Sequence, residues 1–316
     1  MKGFDAEFSD LDHYIRVITD RIWEGRRIDD IRRYYSDDCA VETPSSVSIG
    51  VQPVIDGTRS TLLAFPDRRL LAEDVIASGD DAGGYLSSHR IFSPMTHAGP
   101  GVFGSASGRP VYARTIADCV CINNRIVHEW LVRDQAAIAR QIGSHERDVA
   151  QRWLNERGGF IKATMPAAPA PYVSFLDTQA LAVNYAEAYR LAWTGTSLGS
   201  SHHAAVIAAV PGGEARVGLT SLNSYWSDMR SAFPDGDFSV EHLVANERTD
   251  KGNTAVAMRW RLRATHQGGG RYGAATGKPI EIVGIQHAEI EHGKVVREWV
   301  LIDDVALWMQ VLDVNL

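Results

Sequence analysis

Cysteine is scarce in this chain: Cys39, Cys119 and Cys121 are the only three in 316 residues. An odd number without paired spacing excludes a disulfide framework and a zinc ribbon, so they read as buried thiols. Excess positive charge is also missing. The 32 Lys and Arg stand against 39 Asp and Glu, a formal net charge of −7, which gives no electrostatic reason to bind nucleic acid or an anionic membrane. Neither is expected as a partner. No apolar run approaches the ~18 residues of a membrane span, and the opening Met1-Lys-Gly-Phe-Asp-Ala-Glu-Phe8 is acidic where a signal peptide is apolar. A cytoplasmic location is therefore expected. His202-His203 are adjacent, without i, i+4 spacing or a carboxylate companion, so no metal is expected. The runs Gly99-Pro-Gly101 and Gly268-Gly-Gly270 lack the strand-to-helix setting of a phosphate cradle. They read as lids over a cavity mouth, and no cofactor is expected.

What is present is a repeat. Residues His97 to Pro110 lie over His266 to Pro279 at a constant offset of 169, with seven of fourteen positions identical. At that offset Arg90 meets Arg259, Glu129-Trp130 meets Glu298-Trp299, and Asp134 meets Asp303. Phe65-Pro66-Asp67 meets Phe233-Pro234-Asp235 one residue out of step. The period is far too long for a solenoid, so each copy is a whole domain: residues 1–143 and 175–316, joined by a polar helix and a Pro/Ala-rich linker over 144–174.

Each copy reads as helices followed by strands. Leu11, Ile15, Ile18 and Ile22 make a helical stripe, matched in copy two by residues 181–193. Alternating strands then cover 70–77, 85–92, 111–122 and 125–132, and a short helix closes each copy. Helices followed by a meander imply an α+β domain in which a curved antiparallel sheet wraps its helices into a cone.

Tyr35-Ser-Asp-Asp-Cys-Ala-Val-Glu-Thr-Pro44 resembles a segment of the nuclear transport factor 2-like superfamily, which includes ketosteroid isomerase and the SnoaL polyketide cyclases. The run Phe-Pro-Asp, Thr-His-x-Gly, Thr/Ser-Gly-Lys/Arg-Pro and Glu-Trp-x-x-x-Asp is similar to the SnoaL branch in particular. The resemblance implies a cofactor-free enzyme, a lyase or isomerase in class, acting on a small apolar organic substrate. It also implies that the two copies meet as an intramolecular pseudo-dimer, with further homo-oligomerisation left open.

A two-residue turn at His292-Gly293 pairs Ile290 with Val295, and regular alternation from there pairs Gln286 with Trp299. Gln286, Trp299 and Asp303 are thus expected on one face, and His287 and Glu298 on the other. The resemblance puts the first face inside the cone. Asp303 and Asp134 are the expected acid/base residues by similarity to SnoaL cyclases, with helix capping as their alternative role, and Gln286 is the expected oxyanion donor. Trp299, Trp130, Arg259, Arg90, His128 and Thr43 are expected to line the substrate site. Thr43 stands where ketosteroid isomerases carry their base, which argues against steroid isomerisation. Copy one has Ala117 in place of Gln286, making copy two the better candidate. Aldol-type cyclisation, isomerisation and hydration share the enolate-like step. The alternatives are a non-catalytic binding or scaffold protein and an epoxide hydrolase.

Overall fold

The computed structural model describes residues 1–315. The chain divides into two compact units, residues 1–145 with 161–173, and residues 146–160 with 174–316. Unit 1 begins with helix α1 (Leu11–Thr19), where the Asp10 carboxylate accepts the His13 N–H at 2.8 Å and satisfies a donor that a helix start leaves free. A π turn over Asp20–Glu24 extends it, and Leu11, Tyr14, Ile15, Ile18 and Ile22 are buried along one side. There follow α2 (Ile31–Tyr34), β1 (Tyr35–Thr43), β2 (Ser46–Ile49), α3 (Val51–Ala64), β3 (Leu71–Asp80), β4 (Gly84–Thr96), β5 (Pro110–Ile122), β6 (Arg125–Arg133) and α4 (Gln135–Gln141). The strands form one sheet in the order β2-β1-β6-β5-β4-β3. Its inner face packs Val75, Ala117, Cys119 and Cys121 against the α1 stripe.

Unit 2 repeats the plan. It consists of α5 (Glu146–Arg157), α6 (Ala180–Trp193), β7 (His202–Val210), β8 (Glu214–Val217), α7 (Leu219–Ala232), β9 (Asp237–Arg248), β10 (Asn253–Thr265), β11 (Pro279–Glu291), β12 (Lys294–Ile302) and α8 (Asp304–Leu312). Its sheet order is β8-β7-β12-β11-β10-β9. Helix α5 lies in the segment read as a connector but packs with this unit.

The expected α+β architecture is present in both units, with one correction. The sheets are mixed, because β1 runs parallel to β6 and β7 parallel to β12. Helices α3 and α7 left no expectation in the sequence. Pro53 and Gly57 make α3 look like a loop, yet a proline in the first turn costs no intrahelical bond.

Both terminal hairpins turn through two residues at positive φ, Asn123 (49°) with Asn124 (66°), and His292 (50°) with Gly293 (76°), as a tight hairpin requires. One residue beyond the first pairs, each hairpin has a bulge. Cys121 pairs with Ile126 but Val120 with His128, leaving Val127 extra. Likewise Ile290 pairs with Val295 but Glu289 with Arg297, leaving Val296 extra. A bulge shifts the register by one residue and so exchanges the faces of everything after it. Gln286 therefore pairs with Val300, Ala288 with Glu298, and His287 with Trp299. The expected faces of β12 and β6 are reversed: Glu298 and Glu129 point to the helices, while Trp299, Trp130 and His128 point away from them.

Candidate functional site

The interior of unit 2 is aromatic with a polar thread through it. Tyr185, Tyr189 and Trp193 come from α6, Trp226 from α7, Phe238 from β9 and Trp260 from β10. Their rings stand 5.2 Å apart for Tyr185 with Tyr189 and for Tyr189 with Trp226, 5.9 Å for Trp193 with Trp226, and 5.3 Å for Phe238 with Trp260. Trp260 lies flat on the sheet because its cross-strand neighbour is Gly284. A Cβ there would meet the indole at 2.2 Å.

Glu298 sits at the centre of this interior and is 1% exposed. Its Oε2 accepts the Tyr189 hydroxyl at 2.6 Å and the Tyr185 hydroxyl at 3.4 Å, and lies 3.2 Å from His202 Nε2. His202 Nδ1 is in turn 2.7 Å from Ser201 Oγ. The other carboxylate oxygen, Oε1, is buried with no partner among the described residues. Burial first, and then the charge of Glu298, push both phenols well above their ordinary range, so they remain O–H donors to it. Gln286 continues the thread, accepting the Trp260 indole N–H at 2.9 Å and donating to the Tyr185 hydroxyl at 2.5 Å. The indole N–H groups of Trp193 and Trp226 are buried and also unpartnered among the described residues. An orphaned polar group in a native interior costs about 1–3 kcal/mol, so three in one aromatic interior call for a ligand or water to satisfy them.

The other expected residues lie elsewhere. Asp303 caps α8, its Oδ1 accepting the N–H groups of Val305 at 3.0 Å and Ala306 at 3.2 Å. Asp134 caps α4 through the Ala137 N–H at 3.0 Å. Arg259 and Arg90 occupy the sheet face away from the helices, paired across the ladder with Ile285 and Ile116. There they form ion pairs, Arg259 with Glu241 at 3.4 Å and Arg90 with Glu73 at 3.1 Å. Their expected place at a substrate site inside the cone is corrected, as are those of Trp299, Trp130 and His128. The His128 and Trp130 rings stand 4.4 Å apart on that outward face. Thr43 is at the β1–β2 turn, its Oγ1 2.8 Å from Ser46 Oγ. The supposed lid of unit 2 is fastened down: Arg271 pairs with Asp304 at 2.5 Å, Tyr272 donates to the same carboxylate at 2.6 Å, and His266 Nδ1 meets Thr276 Oγ1 at 2.9 Å.

Unit 1 carries the same carboxylate in a different setting. Glu129 pairs with Cys119 on the inner face and is hydrogen-bonded to Tyr35, which holds the register place of His202. Burial raises its carboxyl to about 7. At the repeat offset Ile91 replaces Trp260 and Ala117 replaces Gln286. The sequence signal that marked this residue was the Glu-Trp dipeptide recurring in both copies. Only the tryptophan of each pair was read as facing inward.

A family model described as SnoaL-like polyketide cyclase matches the chain twice, over residues 13–142 and 181–311. No curated protein matches it. Among solved structures, a SnoaL-like polyketide cyclase of Agrobacterium tumefaciens is 21% identical, with 43% of this chain and 100% of that one covered at a TM-score of 0.36. AclR of Streptomyces galilaeus is 22% identical, with 42% and 93% covered at 0.35. TsrD of Streptomyces laurentii is 18% identical, with 42% and 95% covered at 0.36.

Proposed function

The chain belongs to the SnoaL-like polyketide cyclase family, once in each half, and from that premise we propose that unit 2 is a cofactor-free acid/base enzyme acting on a small, largely aromatic or apolar carbonyl compound. Glu298 is the base. One observation carries the reading: Oε2 is held by Tyr189, Tyr185 and His202 while Oε1 is buried without a partner. A carboxylate fixed by one oxygen keeps the lone pairs of the other for a proton on carbon. The substrate's carbonyl oxygen gains charge as that proton leaves, and donors already in place stabilise it without reorganisation. The unpartnered indole N–H groups of Trp193 and Trp226 supply such donors. Gln286 acts at one remove by orienting Tyr185 and Trp260. The aromatic rings select a flat ligand. Whether the enolate then closes a ring, returns its proton elsewhere or loses water depends on the substrate.

The test is a panel of aromatic ketones and polyketone mimics offered to the full chain, read by melting shift and by turnover. A ligand that binds only the folded state raises the midpoint. For a stabilising compound that is turned over, Glu298→Gln is expected to keep the unliganded midpoint within a few degrees and to lower turnover by about 10²–10⁴-fold. Unchanged turnover in that variant removes Glu298 from the role.

A further inference from the structure

At one end of the inner sheet face of unit 1 stands a group of cations and hydroxyls that the acid/base reading does not use. Arg68, in the turn before β3, is 6% exposed, and its guanidinium has no hydrogen bond or ion pair among the described residues. The carboxylate whose charge reaches it, Glu24, is committed to Arg69 Nε at 2.9 Å and to the Leu70 N–H at 2.6 Å. The charges that press on Arg68 most are those of Arg133 and Arg26. Arg26 is anchored next to it, donating to the carbonyls of Pro66 at 2.9 Å and Arg68 at 3.0 Å. Arg133 pairs across the ladder with Thr115, which puts both on the inner face. Its charge also reaches Glu129 on that face. The Thr115 hydroxyl is buried and unpartnered, as is that of Ser93 on the same face of β4. The backbone N–H of Arg69 bonds the Pro94 carbonyl at 3.1 Å, which brings the Arg68 turn alongside Ser93.

A buried, unpaired cation is strongly unfavourable, and a second cation beside it makes the arrangement worse. An oxyanion removes both costs and gives the two idle hydroxyls an acceptor. The duplication provides an internal contrast, since unit 2 has Gly236 in place of Arg68, Ile302 in place of Arg133, Gly284 in place of Thr115 and Leu262 in place of Ser93. Four polar positions on one unit are therefore apolar on the other.

We propose that this end of unit 1 binds a small organic anion, its carboxylate or phosphate oxygens taken by Arg68 and Arg133 and by the hydroxyls of Ser93 and Thr115. Guanidinium groups recognise both oxyanions through paired N–H donors. The site stands independently of Glu298 and of the chemistry in unit 2.

The experiment is a melting series on the full chain in low-chloride buffer with inorganic phosphate and, separately, hexanoate, on wild type, Arg68→Gln and Thr115→Val. Wild type is expected to rise by about 5 °C at saturation with at least one of them. Arg68→Gln is expected to melt no lower than wild type without anion, because it removes an unpaired charge, and to lose the shift. Thr115→Val keeps the volume and is expected to lose part of it. A response to phosphate alone assigns a phosphorylated ligand, and one to hexanoate alone a carboxylate. The proposal is overturned if neither anion moves wild type, or if both variants respond as wild type does.

Discussion

Two buried groups on the inner face of unit 1 oppose each other in their dependence on pH. Burial raises the Glu129 carboxyl from 4.5 to about 7. The stability of its neutral form is fully present below pH 4.5 and is lost as pH rises from there through about 7. Burial lowers His89 from 6.5 to about 3, so its contribution is full above pH 6.5 and is lost as pH falls toward 3. Between pH 4.5 and 6.5 the two slopes, each about 1.4 kcal/mol per pH unit, cancel. Single variants expose them. Denaturant titrations of Glu129→Gln are expected to show stability falling with acid below pH 6.5. His89→Met, which installs the residue of the matching position Met258, is expected to show stability rising as pH falls from 7 to 4.5. Flat profiles in both variants would show that neither group titrates out of register with the unfolded chain.

The terminal hairpins mark where the sequence ceased to be legible. Helix stripes, strand alternation and the turn at His292-Gly293 were all readable, because each follows from a local period or a backbone conformation that few residues tolerate. The bulge at Val296 was not, since an extra valine in a run of strand-forming residues looks like any other. One unseen residue exchanged Glu298 for Trp299 in the interior, and the candidate base was missed with it. Deleting Val296 removes the bulge yet leaves Glu298 opposite Ala288. The variant is expected to keep the Glu298 carboxylate inside and to unfold cooperatively in calorimetry, at a midpoint lowered by the loss of the bulge's local twist. The capping residues were readable as a choice of roles, and the structure gives Asp303 two backbone donors. Asp303→Ala is expected to cost about 1 kcal/mol, with Asp303→Asn close to wild type. Gly284→Ala tests the flat seat of Trp260. The added methyl is expected to shift the indole off Gln286 and to lower the midpoint, with a change in tryptophan fluorescence.

At the scale of the molecule, a duplicated fold has diverged inside while keeping its frame. Both units retain sheet order, bulge, capping aspartate and inward glutamate. Unit 2 surrounds its glutamate with phenols, a histidine and indoles, whereas unit 1 surrounds its own with aliphatic side chains, a tyrosine and three free thiols pushed up by burial. Fold alone does not carry activity; the inner side chains do, and they differ at the positions nearest the carboxylate. Proton abstraction is therefore expected from unit 2. The most direct measurement is exchange of the α-protons of a bound ketone in D₂O, followed by NMR for wild type, Glu298→Gln, Glu129→Gln and Asp303→Asn. Loss of exchange in Glu298→Gln alone, with the other two variants within about tenfold of wild type, is the expected result. Exchange that survives in Glu298→Gln and disappears in folded Asp303→Asn contradicts Glu298 as the base.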